Sequence, residues 1–181
     1  MGEIVVVTGP PGAGKSTVAA LLADSLEASA LVEGDAFFAF VRRGRIDPWL
    51  PEAHEQNQHV VAAAAAATER LARGPWTVVY DGVIGPWFVD DFAAACGTPR
   101  LHYAVVLPPE EVAVDRVRTR VGHGFADLDA ARQMHQQFAE AASDIDERHV
   151  LGLVAGPEAV AAEIRDRLES GALSWSSRSP G

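Results

Sequence analysis

Apolar positions along this chain follow two rhythms. Short unbroken runs, EIVVVT (3–8), SALVEGD (29–35), WTVVYD (76–81), LHYAVVL (101–107) and HVLGLVA (149–155), have the length and β-branched content of buried strands. Between them lie longer stretches in which apolar residues return every three or four positions. These predict helices over 15–28, 54–73, 86–97, 108–120, 131–147 and 157–170, with a further short helix starting in AFFAFVRR (36–43). GRIDPWLP (44–51) is a turn-rich break, and Gly74-Pro75 stops the longest helix. The alanine run 62–67 reads as a close packing surface. Pro108 and Pro109, followed by Glu110 and Glu111, mark a helix start. Buried strands alternating with helices imply a parallel sheet covered on both faces, so the expected fold class is α/β. One domain over 1–171 is expected, with a disordered tail over 172–181.

The first strand runs directly into GPPGAGKST, Gly9 to Thr17. Gly9, Gly14, Lys15 and Ser16 fit the pattern G-x-x-x-x-G-K-[ST], with a buried strand before it and a helix after it. Glycine lets backbone amides approach a phosphate closely, and the helix beginning near Lys15 turns its free N–H groups toward the anion. Pro10 and Pro11 have no N–H to offer, so the cradle is expected from the amides of Gly12, Ala13, Gly14, Lys15, Ser16 and Thr17. Lys15 places a compact charge on the β- and γ-phosphates, worth about 4 kcal/mol at 4 Å in an effective dielectric near 20. Ser16 is the expected Mg²⁺ ligand, and Thr17 helps hold the α-phosphate. This P-loop refines the fold expectation to a three-layer P-loop NTPase-type sandwich of five parallel strands, with a short lid at about 118–130.

Three further places carry chemistry. Asp35, in VEGDAFF, ends the second strand, where the carboxyl ends of parallel strands face a ligand crevice. It can take a proton from an attacking hydroxyl, or it can cap the following helix. Glu33 is a weaker candidate beside it. Asp81, at the end of VVYDG, can hold Mg²⁺ through water or grip a substrate, or simply form an Asp-Gly turn. Arg116 and Arg120 lie four apart on one predicted helix face, just before the loop GHGFADLD, as a closing lid requires. Arg118 points elsewhere, and His123 is a loop histidine with no assigned role. An acceptor pocket is expected between the second and third strands, with Phe37, Phe38 and Arg42 as substrate contacts. The same segment offers Phe40, Arg43, Trp49, His54 and Asn57 to that pocket, with Trp87 and Phe88 nearby. FFAF can equally be core packing, and Arg42-Arg43 a solvated helix end.

Charge narrows the partners. The net charge is −10, against phosphate-dominated binding to nucleic acid and against an anionic membrane surface. Fifteen residues are Lys or Arg, and Lys15 is the sole lysine. In a chain that otherwise uses arginine, it stands where a planar guanidinium would not fit. No apolar stretch is long enough to span a bilayer and no signal pattern opens the chain, so a cytoplasmic location is expected. Cys96 excludes an internal disulfide and is expected buried in its helix.

With these residues in hand, the chain resembles the small P-loop kinases. The P-loop, the Gly34-Asp35 pair after the second strand, and R-x-x-x-R-x-G-H at 116–123 followed by Gln133 are similar to gluconate kinase and chloramphenicol phosphotransferase. DGVIGPWF (81–88) is similar to a wider group of bacterial AAA-type ATP-binding proteins related to antibiotic-resistance kinases and tunicamycin-resistance proteins. The resemblance spans most of residues 3–170. It implies phosphorylation of a small-molecule hydroxyl by ATP with Mg²⁺, with Asp35 as base and Arg116 and Arg120 as lid arginines. It departs where gluconate kinases carry a histidine after Gly-Asp; here Phe37 and Phe38 follow, pointing to a more apolar acceptor.

The expected function is therefore transfer of the ATP γ-phosphate to a ring-containing metabolite, nucleoside or antibiotic, by a monomer or homodimer. Two alternatives stay open. One is a nucleotide or sugar-nucleotide kinase, to which Arg42, Arg43 and Arg45 would contribute. The other is an ATP-dependent binding or switch protein without phosphotransfer. The turn at 155–157 is the expected neighbour of adenine.

Overall fold

The alternation of side chains along the central strand explains the layering. In β1 (Ile4–Thr8), Ile4 and Val6 are buried in one apolar cluster, and Val5 and Val7 in another. Side chains alternate across a strand, so an unbroken apolar run demands cover on both faces. The computed structural model describes residues 2–97, 101–119, 127–152 and 156–176. Among these, β1 and the strands β2 (Ser29–Glu33), β3 (Thr77–Asp81), β4 (Leu101–Val106) and β5 (Val150–Leu151) form a parallel sheet in the order β2-β3-β1-β4-β5. β1 sits centrally, with Val7 opposite Asp81 on one side and Ala104 on the other.

One face is covered by α3 (His54–Ala72) and α4 (Val89–Cys96), with Phe138 of α6 (Leu128–Ala142) in the same cluster. The other is covered by α1 (Lys15–Ser25) and α7 (Pro157–Glu169) through Val18, Leu22, Val160 and Ile164. α2 (Gly34–Ala39) follows β2, and α5 (Glu110–Thr119) follows β4 and packs on α6. The three-layer α/β sandwich is thus present. Cys96 is fully buried, and burial pushes its thiol up to about 12. No described helix is long and apolar enough to cross a membrane.

Several boundaries differ from expectation. α6 begins at Leu128, because Asp127 caps it by accepting from the amides of Asp129 and Ala130 at 3.0 Å. β5 is only two residues long. Above all, the expected disordered tail does not hold for residues 172–176. Leu173 is fully buried, its carbonyl accepts from Tyr103 N at 3.0 Å, and Trp175 N donates to Leu101 O at 2.8 Å. Trp175 stacks edge-on against Tyr103 and His149, and its indole N–H reaches Asp90 at 2.8 Å. The physical reason is the short β5: it pairs only with Val105 and Val106, so the start of β4 needs another partner. Residues 177–181 lie outside the described residues.

Candidate active site

The site grows from the end of β1. Gly9 leaves the strand against the backbone of Val106. Gly12 turns at φ +77°, and a Cβ there would sit 2.1 Å from Ala113 O, so the loop reaches α5 only because this residue is glycine. Gly14, at φ 90°, is the N-cap of α1. The first helical bond runs from Val18 N to Gly14 O, at 3.1 Å. The amides of Lys15, Ser16 and Thr17 come before it and have no backbone partner among the described residues. Ala13 differs from the expected cradle: it is buried, and its N–H donates to Pro10 O at 3.1 Å, closing the loop on itself.

Lys15 is only 8 % exposed, while Ser16 and Thr17 are exposed. Beside them Asp81, the last residue of β3, is also 8 % exposed. Burial raises its carboxyl pKa; the Lys15 charge and a hydrogen bond from Ser16 oppose that, and Asp35 and Glu33 add to it. One oxygen, Asp81 Oδ1, is buried without a hydrogen-bond partner. The arrangement gathers a cation, a hydroxyl and three carboxylates at one end of β2, β3 and β1. A hydroxyl beside a buried, underpartnered carboxylate is a hard-oxygen donor set of the kind Mg²⁺ takes.

Asp35 lies in the first turn of α2 and is exposed. The N-cap is Glu33, with no side-chain cap bond, so Asp35 does not cap the helix. Phe37 is half-buried against the core and 5.3 Å from Phe40, which is 71 % exposed; Phe38 is half-buried. The FFAF cluster therefore divides between packing and surface. Arg42 is exposed, on a loop whose later part is fastened to α3. There Gln56 bonds both the amide and the carbonyl of Ile46, and Asn57 donates to Pro48 O at 2.7 Å.

Arg116, on α5, is half-buried and lies over the P-loop, its guanidinium donating to Gly12 O and Ala13 O at 3.4 and 3.3 Å. Arg118 turns away and pairs with Asp115. Arg120 and His123, with most of the expected lid, lie outside the described residues, as does Ala155 beside the turn expected near adenine.

Sequence reasoning missed the residues that tie the loop after Asp81. Ile84 N donates to Thr8 Oγ1 at 2.9 Å, and Tyr103 donates its hydroxyl proton to Ile84 O at 2.7 Å. Both bonds use the Ile84 backbone, which has no residue-type signature, so nothing in the sequence pointed to them.

A family model described as "AAA domain" matches residues 4–144. Among solved structures, a sugar kinase from Janibacter sp. HTCC2649 superposes with a TM-score of 0.71 over 97% of this chain and 100% of that one, at 22% identity. The tunicamycin resistance protein of Deinococcus radiodurans gives 0.69 over 93% and 96%, at 16% identity. Shikimate kinase from Acinetobacter baumannii gives 0.65 over 96% of each chain, at 15%. No curated protein matches by sequence. The structural likenesses establish the fold, a P-loop kinase-like sandwich, and the family match covers most of the chain: it belongs to this AAA domain family.

Proposed function

We propose that this AAA domain protein is an ATP-dependent phosphotransferase that moves the γ-phosphate to a hydroxyl of a ring-containing small molecule such as a metabolite, nucleoside or antibiotic. One observation carries the reading. Asp35 is an exposed carboxylate with no capping duty, coupled electrostatically to Asp81, which is in turn coupled to Lys15 and Ser16 of the P-loop. A carboxylate able to act as base and a P-loop thus lie at the same end of the sheet. Two of the named structural neighbours, the sugar kinase and shikimate kinase, are kinases of small molecules, which supports the same class.

In this reading the amides of Lys15, Ser16 and Thr17 take phosphate oxygens, and the Lys15 ammonium neutralises the β- and γ-phosphates. Ser16 and Asp81 would hold Mg²⁺, which supplies charge neutralisation across the phosphates. Asp35 accepts the proton of the acceptor hydroxyl as its oxygen bonds to the γ-phosphorus. The bond from that phosphorus to the bridging oxygen breaks, and ADP leaves. Arg116, already on the P-loop, is placed to turn toward the transferring group, with Arg120 as its expected partner. Phe37, Phe38 and Arg42 flank the acceptor.

A second reading, a nucleotide or sugar-nucleotide kinase, is favoured by one observation: Arg42, Arg43 and Arg45 lie exposed together on the segment after α2 and make no ion pair among the described residues. The test is ADP release from Mg·ATP with and without nucleosides, pyranosides, sugar acids, nucleoside monophosphates and aromatic antibiotics, with Lys15→Ala as blank. Stimulation by a ring-containing hydroxyl compound, lost in the blank, is the expected result. Stimulation by monophosphates alone favours the second reading. ATP binding with no stimulated turnover points to sequestration or switching instead.

A further inference from the structure

Large apolar side chains exposed among the described residues are not spread evenly. Phe40 and Leu50 lie on the segment that leaves the carboxyl end of β2, and Trp87 on the loop that leaves the carboxyl end of β3. Leu31 lies within β2, and Trp76 sits at the opposite end of β3. Three of these five therefore flank the strand ends that carry Asp35 and Asp81. Exposed apolar surface gathered at a polar crevice marks a binding site more than scattered exposure does.

Trp87 is the largest of the three, 53 % exposed, and it is held in place. Its indole folds over Gly85 so closely that a Cβ on that residue would lie 2.4 Å from two ring carbons. The ring meets buried Phe138 of α6 edge-on, with centroids 5.2 Å apart. A turn from Phe88 N to Gly85 O, at 2.8 Å, fixes the backbone between, and Ile84 just before it is bonded on both sides. Phe138 belongs to the face of the sheet covered by α3 and α4. α7, whose first turn follows the expected adenine loop, covers the other face. Through Phe138, Trp87 belongs to the side of the sheet covered by α3 and α4, on the loop that leaves the end of β3 carrying Asp81.

An aromatic ring fixed before binding loses little rotamer freedom when a second ring lies on it. We infer that Trp87, seated on Gly85 and braced by Phe138, determines acceptor specificity by stacking the flat apolar face of a ring, whether aromatic or the C–H face of a pyranose. This rests on the phosphotransferase reading for the identity of the crevice. It goes further by assigning ring recognition to a residue outside the expected contacts Phe37, Phe38 and Arg42. Open-chain polyols present no such face and are disfavoured.

The test is tryptophan emission of the full chain, saturated with a non-hydrolysable ATP analogue, titrated with adenosine, methyl β-glucopyranoside and gluconate. Quenching by a ring probe and none by gluconate is expected. Trp87→Ala should weaken the ring probe about tenfold, followed by calorimetry, and Trp87→Phe should retain most affinity. Gly85→Ala is the sharper variant: Gly85 is not among the positive-φ glycines, so the added methyl displaces the indole without straining the backbone. It should weaken the ring probe as Trp87→Ala does, while Trp76→Phe leaves affinity unchanged. Absence of any ring-probe response, or equal ring affinity in wild type, Trp87→Ala and Gly85→Ala, overturns the inference. Ring binding through Trp87 with no ADP release from any acceptor would overturn phosphotransfer alone. Turnover with an open-chain acceptor and indifference to both ring probes would overturn the Trp87 role alone.

Discussion

The P-loop and the side of the crevice proposed to take the acceptor are built on opposite plans. On the phosphate side Lys15, Ala13 and Asp81 are buried, glycine conformations fix the loop, and the loop closes on its own carbonyls and on Arg116. On the side proposed for the acceptor, Asp35, Phe40, Arg42 and Trp87 are all exposed, and the loop after α2 is fastened at Ile46 and Pro48 rather than at the residues facing outward. A triphosphate presents the same oxygens each time, so its cradle can be packed and rigid. An acceptor has to enter, be recognised and leave, so its groups stand open. Burial here follows how constant the chemistry is.

That contrast can be broken at its open edge first. Asp35→Asn should lower kcat about 10²–10⁴-fold in an ADP-release assay, with nucleotide affinity and melting temperature unchanged, because the side chain is exposed and caps nothing. Lys15→Ala should lower kcat about 10²–10³-fold and weaken nucleotide binding with it, measured by calorimetry. Retained nucleotide affinity there would mean that the buried side does not read phosphate. Asp81→Asn sits on the seam. Since burial raises its pKa in the folded state, the ionised side chain is a cost present above that pKa and absent below the ordinary Asp value of 3.8. The neutral amide should raise the melting temperature at pH 7 by a few °C in scanning calorimetry while abolishing stabilisation by Mg²⁺. Arg42→Ala is the mildest: a rise of severalfold in acceptor KM with unchanged kcat sharpens the comparison, and a fall in nucleotide affinity would blur it.

The two sides also differ in how far they could be read from the sequence. The P-loop is written in residue types because its backbone needs positive φ at Gly12 and Gly14 and close approach at Gly9. β1 was legible because an unbroken apolar run such as IVVVT admits no half-exposed alternative, whereas β2, expected to be equally buried, is a half-exposed edge strand with only Val32 buried. Asp35 and Asp81 were placed by their positions at strand ends, and the structure brings them into one electrostatic group. What escaped was held by backbone groups or by isolated residues. The clasp of Gln56 on Ile46 uses main-chain atoms, and the tail at 172–176 is secured by one buried leucine and one tryptophan within an otherwise polar stretch. Asp127 did carry a signal, an acid before an amphipathic run, and the helix start was still set too late.

The position of β1 at the centre of the sheet carries a consequence for synthesis. Its partners are Thr77–Asp81 and Leu101–Val106, so this unbroken apolar strand is made before both of its neighbours and waits for them. Until residue 81 has emerged, Ile4–Thr8 has neither edge covered and, being β-prone and uncharged, is open to pairing with another nascent chain. Slowing translation between residues 9 and 77 would therefore lower soluble yield, whereas the same delay after residue 106 would spare it.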